Sequence, residues 1–126
     1  MKSPAHENWP DHKIKESRLA GKSEVQVGAE TVAVSEDVIR VEEDRSPPRL
    51  YFPRSAVPSD KLEPSSTTTQ CPFKGTARYF NLKLRGRTLR DAVWSYEEPF
   101  DEHRSLKDRL AFYDDKFPEI RVRTAT

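Results

Sequence analysis

The chain has little cysteine and little glycine. Cys71 is the only cysteine among the 126 residues, which excludes an internal disulfide framework and any site built from several thiolates. With four glycines, neither familiar glycine-rich phosphate-binding loop occurs. A single cysteine is typical of a reducing compartment, so we expect a cytoplasmic protein.

The sequence also lacks an excess of one charge and any long apolar run. Its 22 basic and 21 acidic residues leave a net charge of +1, so self-repulsion is small and one domain core can form. No segment approaches the roughly 18 apolar residues of a membrane-spanning helix, and none near residue 1 resembles a secretion signal. We therefore expect a soluble protein with no membrane partner.

The first twelve residues are mostly polar, and Trp9 is their only large apolar side chain. This composition predicts a flexible tail over residues 1–12, without an ordered element, followed by a single β domain over residues 13–126. Deleting such a tail should leave stability nearly unchanged. The spacing of His6 and His12 matches no usual ligand pattern, so no metal site is predicted.

Alternating apolar residues predict strands through most of the domain. Val25 and Val27, then Val32 and Val34, predict a hairpin around residues 28–30. Order is expected to begin around residues 13–17, and residues 38–42 are predicted as either a strand or a short helical turn. Further strands are predicted near residues 50–52, 76–84, 92–96, 110–113 and 119–123. Residues 54–70 contain Pro and a Ser/Thr run, which favours an irregular connection, and residues 102–110 are the one helix candidate. The predicted fold class is mainly β, a small single domain of antiparallel sheets with one short helix.

The segment Cys71-Pro72-Phe73-Lys74-Gly75 predicts a tight loop that feeds the strand bearing Tyr79. Lys74 precedes a glycine, where an ammonium can bind a phosphate, carboxylate or enolate, although turn lysines are commonly just solvated. Arg54 could add a second anion-binding donor. Cys71 is either an activated thiolate beside Lys74 or a small buried side chain.

Aromatic residues on the two strands that follow this loop form a second candidate feature. Tyr79, Trp94 and Tyr96 either line a ligand pocket or fill a core, and the pattern leaves both options open. We assign catalytic roles to three residues and ligand-binding roles to four. The catalytic candidates are Lys74, Tyr79 and Tyr96, and the ligand-binding candidates are Arg54, Tyr51, Cys71 and Trp94.

Three other kinds of site are disfavoured. Basic residues cluster around the turn at residues 85–87, but the balanced net charge is unlike that of a nucleic-acid-binding domain. A Ser-His-acid triad would depend on His103, which is predicted in a surface helix. Residues 71 and 103 offer too few ligands for a structural zinc.

Five motifs carry a family resemblance: Tyr51-Phe52-Pro53-Arg54, the Cys71–Gly75 loop, Ala77 with Tyr79, Trp94-Ser95-Tyr96 with Pro99, and Ala111-Phe112-Tyr113. In order and spacing the chain resembles the domain of unknown function 427 family, also labelled nucleotidyltransferase-like. The resemblance implies a small β-tent-like fold, in which sheets lean together over a groove. Ser55-Ala56 stand where the family usually has acidic residues, and the Gly-Ser motif with paired aspartates that nucleotidyl transfer uses is absent.

We expect a protein that binds a small anionic or carbonyl-bearing molecule, with or without metal-independent acid–base conversion of the lyase, isomerase or cyclase type. The alternative is a non-catalytic interaction or nucleotide- or nucleic-acid-binding module, although a nucleic-acid partner is disfavoured. No cofactor is predicted. The oligomeric state is open, with a homodimer among the options.

Overall fold

A computed structural model describes residues 1–124 of the chain, and within them it has ten β-strands, one α-helix and three short 3₁₀ helices. The first half contains α1 (Pro4–Asn8), β1 (Ile14–Arg18), β2 (Ser23–Val27), β3 (Glu30–Ser35), β4 (Ile39–Glu43) and β5 (Arg49–Tyr51). The second half contains β6 (Leu62–Cys71), β7 (Gly75–Leu84), β8 (Arg87–Tyr96), β9 (Leu110–Phe112) and β10 (Ile120–Thr124). The 3₁₀ helices are Arg54–Ala56, Ser59–Lys61 and Asp101–Leu106.

The strands form three antiparallel sheets. Sheet I has the order β1-β4-β5, sheet II has β10-β2-β3, and sheet III has β6-β7-β8-β9. The prediction of a mainly β protein built from antiparallel sheets is confirmed. None of the helices in residues 1–124 is long and apolar enough to cross a membrane.

Sheet III contributes side chains to two separate hydrophobic cores. Successive residues of a strand point to opposite faces, so on β8 Val93 packs with the β2–β3 hairpin while Trp94 packs with β4 and β5. On β7, Phe80 and Leu82 join the first core, whereas Tyr79 packs against the second. The predicted grouping of Phe80 with Leu82, and of Trp94 with Tyr96, is confirmed.

The prediction of an irregular connection over residues 54–70 is wrong in its second half. Two 3₁₀ turns are followed by the ten-residue strand β6, Leu62–Cys71. Thr has a high strand propensity, and β6 is an edge strand whose register shifts between Pro64 and Thr68. A proline is tolerated at such an irregular edge because the N–H group that it lacks would form few hydrogen bonds to a neighbouring strand there.

The prediction of a helix over residues 102–110 is also wrong. Only Asp101–Leu106 is helical, as a 3₁₀ segment with a kink at His103, and Leu110 begins β9. Leu106 and Leu110 are four residues apart, but they lie in different cores and share no helix face. His103, expected at the surface, is buried with 3% of its area exposed.

The amino-terminal segment is ordered, so the expectation that no element precedes residue 13 is wrong. Helix α1 buries Ala5, and the Ser3 hydroxyl donates a hydrogen bond to the Pro72 carbonyl oxygen at 2.8 Å. The amino group of Met1 pairs with Asp101 at 2.9 Å. Local composition cannot reveal these contacts because their partners lie roughly seventy or more residues away.

Candidate functional site

A cavity of about 260 Å³ lies between sheets I and III. It is lined by six of the seven predicted site residues, namely Tyr51, Cys71, Lys74, Tyr79, Trp94 and Tyr96. The other lining residues were not predicted as site residues, and they are Val41, Glu43, Ser46, Pro47, Arg49 and Tyr113. The tertiary structure thus brings most of the predicted set to one concave surface.

The antiparallel register of β7 and β8 positions the aromatic wall of the cavity. Tyr79 lies opposite Trp94, and their ring centroids are 6.3 Å apart. From β5, the Tyr51 hydroxyl accepts a hydrogen bond from Trp94 Nε1 at 3.2 Å. Tyr51 also packs against Tyr96 with centroids 6.4 Å apart, so these rings form one rigid wall.

Gly75 allows the loop to direct Lys74 inward. Its φ of +122° is disfavoured for residues with a side chain, and an added Cβ would lie 3.3 Å from the Glu98 carbonyl oxygen. The Lys74 carbonyl oxygen accepts a hydrogen bond from Phe100 N at 2.9 Å, which holds the loop against the following segment. The Lys74 residue is consequently 95% buried, with 5% of its area exposed, and it is not a solvated turn lysine.

The Lys74 ammonium forms an ion pair with Glu43 at the end of β4. The same carboxylate accepts a hydrogen bond from His12 Nε2 at 2.9 Å. Burial raises the pKa of Glu43, but the hydrogen bonds from Lys74 and His12 outweigh it and hold that pKa below its usual value. Glu43 is therefore ionised at neutral pH, and it lies on the cavity wall. Cys71 Sγ lies 4.0 Å from the ammonium.

The three tyrosines of the predicted site differ in what their hydroxyl groups contact. The Tyr79 hydroxyl bonds Thr69 Oγ1 at 3.2 Å, and the Tyr51 hydroxyl is occupied by the Trp94 indole. Within residues 1–124 the Tyr96 hydroxyl has no side-chain hydrogen-bond partner, and burial raises its pKa well above its usual range. Tyr96 is thus a neutral phenol that lines the cavity.

Arg49 is a cationic lining residue that sequence reasoning missed. Its guanidinium carbon lies 5.1 Å from the ring centroid of Trp94 and 5.5 Å from that of Tyr113. It also pairs with Asp114 at 2.9 Å and with Asp115 at 2.8 Å. The sequence pattern around β5 did not mark Arg49 as a site residue. Its neighbour Tyr113, however, belongs to one of the motifs on which the family resemblance rests.

Arg54, predicted to bind the ligand beside Lys74, is not brought to this cavity. It lies over the Phe80 ring, with 4.6 Å from its guanidinium carbon to the centroid, and it lines a different concavity. Phe80 follows Tyr79 on β7, so the two side chains point to opposite faces of the sheet. Arg54 therefore lies on the face opposite the predicted site.

A second group of titratable residues holds α1 beside the loop. Buried His103 bonds Glu16 through Nδ1, and its Nε2 lies 2.8 Å from His6 Nε2. With Nδ1 donating to the carboxylate, Nε2 accepts a hydrogen bond from His6. Phe73 packs between His6, at a centroid distance of 4.9 Å, and His12, at 4.2 Å. These contacts couple α1 to the loop bearing Lys74.

We expect protein stability to fall as the pH drops below 6.5. Burial, followed by the neighbouring His103, lowers the pKa of His6 below its usual 6.5, while Glu102 and Glu43 oppose this shift and His12 adds to it. The unfolded chain then binds a proton at a higher pH than the folded chain, so stability present above pH 6.5 is lost as the pH falls through the lowered pKa. Melting temperatures between pH 7.5 and 5.0 measure this effect.

The matched control for this pH dependence is His6→Gln, whose amide can still donate to His103 but does not titrate. Its melting temperature should vary less with pH over the same interval. An unchanged pH dependence in His6→Gln would show that another group is responsible.

Within residues 1–124, no group of three or more His, Cys, Asp or Glu side chains is arranged to hold a metal ion.

Comparison with known proteins places the chain in a family. A search of curated proteins found no match. A family model matches residues 16–123, a span that includes every lining residue of the cavity. The chain therefore belongs to the family described as domain of unknown function DUF427, which also carries the name NTP_transf_9.

Proposed function

We propose that the cavity binds a small molecule carrying a carboxylate or carbonyl group and converts it by metal-independent proton transfer. The observation that carries this proposal is the buried Lys74–Glu43 pair in the same cavity as the free Tyr96 hydroxyl. These groups supply a positive charge, a proton acceptor and a neutral hydrogen-bond donor. They also lie between rigid aromatic side chains, which restrict water.

The hydrogen-bond donors of the lining residues favour an anionic or electron-rich ligand. The Lys74 ammonium and the Tyr96 phenol line the cavity, with Glu43 as the carboxylate partner of Lys74. Partial burial strengthens a hydrogen bond from these donors to a ligand oxygen, because the local dielectric constant is lower than that of water. Arg49 also lines the cavity, but its guanidinium is already paired with Asp114 and Asp115.

The proton-transfer step assigns one role to each group. Glu43 accepts a proton from a carbon next to the carbonyl, the electron pair of that C–H bond forms the C=C bond of an enolate, and the π electron pair of the carbonyl moves onto its oxygen. Tyr96 donates a hydrogen bond to this oxygen, and Lys74 stabilises its negative charge. Glu43 returns the proton to the same or a neighbouring carbon, so the step is balanced without a cofactor.

The burial of the aromatic side chains supports a small-molecule site over a flat interaction patch. Tyr51, Trp94 and Tyr96 are 2%, 7% and 6% exposed, and they line a concave surface. A protein-binding patch would expose such residues. The cavity volume of about 260 Å³ lies just below the range of about 300–1,000 Å³ usual for ligand pockets, which favours a small head group.

Hydrogen–deuterium exchange tests this proposal without knowledge of the natural substrate. Pyruvate and 4-oxopentanoate each carry a carboxylate and a C–H bond next to a carbonyl. We expect the wild-type protein to accelerate exchange of these protons in D₂O, measured by loss of the proton NMR signal. Tyr96→Phe should lower the accelerated rate by about 10²-fold or more, because it removes the donor to the enolate.

Thr31→Val, which removes a hydroxyl on β3 outside the cavity, is the control and should exchange at the wild-type rate. Binding is followed separately through the NMR signal of the Trp94 indole, which donates to Tyr51. Binding without exchange would support a binding protein and contradict the catalytic step. Neither binding nor exchange for both compounds would contradict the proposed function.

A further inference from the structure

A larger groove of about 660 Å³ adjoins the cavity. Glu43 and Ser46 line both spaces, so the groove and the cavity meet at the end of β4. The groove is bounded on one side by residues 8–12, which follow α1, and on another by Pro72 and Phe73 of the loop bearing Lys74. The combined volume of the cavity and the groove is more than three times that of the cavity alone.

Trp9 presents an exposed ring to this groove from a fixed backbone. Its N–H donates to the Ala5 carbonyl oxygen at 2.8 Å, and its own carbonyl oxygen accepts from His12 N at 3.2 Å. The residue nevertheless remains 60% exposed. His12 is itself stacked on Phe73 and bonded to Glu43, which anchors the segment on the far side of Trp9. The indole is thus held in place without being covered by the protein.

The lining residues give the two spaces different preferences. The cavity contains the Lys74 ammonium and the Tyr96 phenol, whereas the groove is lined by Asp11 and Asp44 with Arg45. A ligand oxygen that accepts hydrogen bonds is therefore favoured at the cavity end, and an anionic group is disfavoured at the groove end. The groove surface between these charges is formed largely by indole, proline and phenyl groups, which favour an uncharged apolar moiety.

We propose that the ligand is amphiphilic, with a carboxylate or carbonyl head in the cavity and an aliphatic chain in the groove against Trp9 and Phe73. This inference rests on the proposed function, because the head group is the one bound by Lys74 and Tyr96. It adds that the substrate class is a medium-chain carboxylic acid or keto acid. The length of the aliphatic chain then sets the binding affinity, because residues 8–12 contact that chain in the groove.

A homologous series of straight-chain carboxylates tests the inference: acetate, butyrate, hexanoate and octanoate. Dissociation constants are measured by calorimetry and by the Trp94 indole NMR signal. We expect affinity to rise by about threefold to fourfold for each methylene that enters the groove, as burial of about 0.8 kcal/mol per CH₂ implies. Trp9→Ala should weaken octanoate binding at least about fivefold and leave acetate binding unchanged.

Val34→Ala is the matched control, because Val34 is an exposed apolar residue, 42% accessible, that lies outside the groove. It should bind every member of the series as the wild type does. Equal affinities for acetate and octanoate, or octanoate binding that is insensitive to Trp9→Ala, would overturn the amphiphile inference and leave the proposed head-group site intact. A failure of every carboxylate to bind would overturn the head-group site and the inference with it.

Discussion

Replacing Lys74 with Ala should lower the free energy of unfolding by about 3 kcal/mol, because breaking a buried ion pair leaves an uncompensated charge. Lys74 is 5% exposed, and the side chain of its partner Glu43 is 18% exposed. The remaining hydrogen bond from His12 and the partial exposure of Glu43 keep the effect at the lower end of the usual range. Urea denaturation measures the change, and the melting temperature should fall by about 10 °C.

The double variant Lys74→Met with Glu43→Gln separates loss of the ion pair from loss of packing. Removing both charges should restore much of the stability that Lys74→Ala loses, because no unpaired charge is left in the cavity wall. A Lys74→Ala protein within about 0.5 kcal/mol of wild type would contradict the buried pair and would match the behaviour of an exposed turn lysine.

Deleting residues 1–12 should destabilise the protein by about 2–3 kcal/mol, contrary to the sequence-based expectation of no effect. The deletion removes the partner of buried His103, the bond from His12 to Glu43, and the buried Ala5. A buried polar group left without its partner costs about 1–3 kcal/mol by itself. Thermal unfolding of the full-length and truncated chains, compared at pH 7.5, gives the measurement.

Trp9→Ala is the control for this deletion. The Trp9 residue is 60% exposed, so its replacement should change stability by less than about 0.5 kcal/mol. A large loss in Trp9→Ala would show that the indole itself docks on the core. A truncated protein as stable as the full-length chain would show that the contacts of α1 contribute nothing in solution.

Periodicity was a good guide to the strands whose two faces differ in environment. Strand β2 alternates between buried and half-buried positions, so a period of two was visible in its residues. Strand β8 is buried on both faces from Ala92 to Tyr96, and its β-branched and aromatic residues gave the strand signal there. Strand β6 lacked this signal because it is a polar edge strand, stabilised by pairing with β7 rather than by an apolar face. The helix predicted after residue 101 failed because its two leucines belong to different cores.

The candidate site was predictable in part. Lys74, Tyr79, Trp94 and Tyr96 lie within one antiparallel pair and the loop that begins it, so their proximity followed from local sequence. Glu43 and Arg49 come from sheet I, and no local pattern relates them to the loop. Their positions depend on how two sheets pack, which a single sequence does not express.

The sequence by itself determined the class of fold, the family, and the loop and strands that carry the candidate site, because these depend on local alternation and on motifs of fixed spacing. The tertiary structure decided the electrostatic state of that site. It paired Lys74 with Glu43 and placed a polar amino-terminal segment along one wall of a groove. It also placed Arg54 outside the cavity, because Arg54 packs on Phe80, whose side chain points to the face of β7 opposite Tyr79. Burial and long-range contacts fix these properties, since they arise only when residues far apart in the chain are brought together.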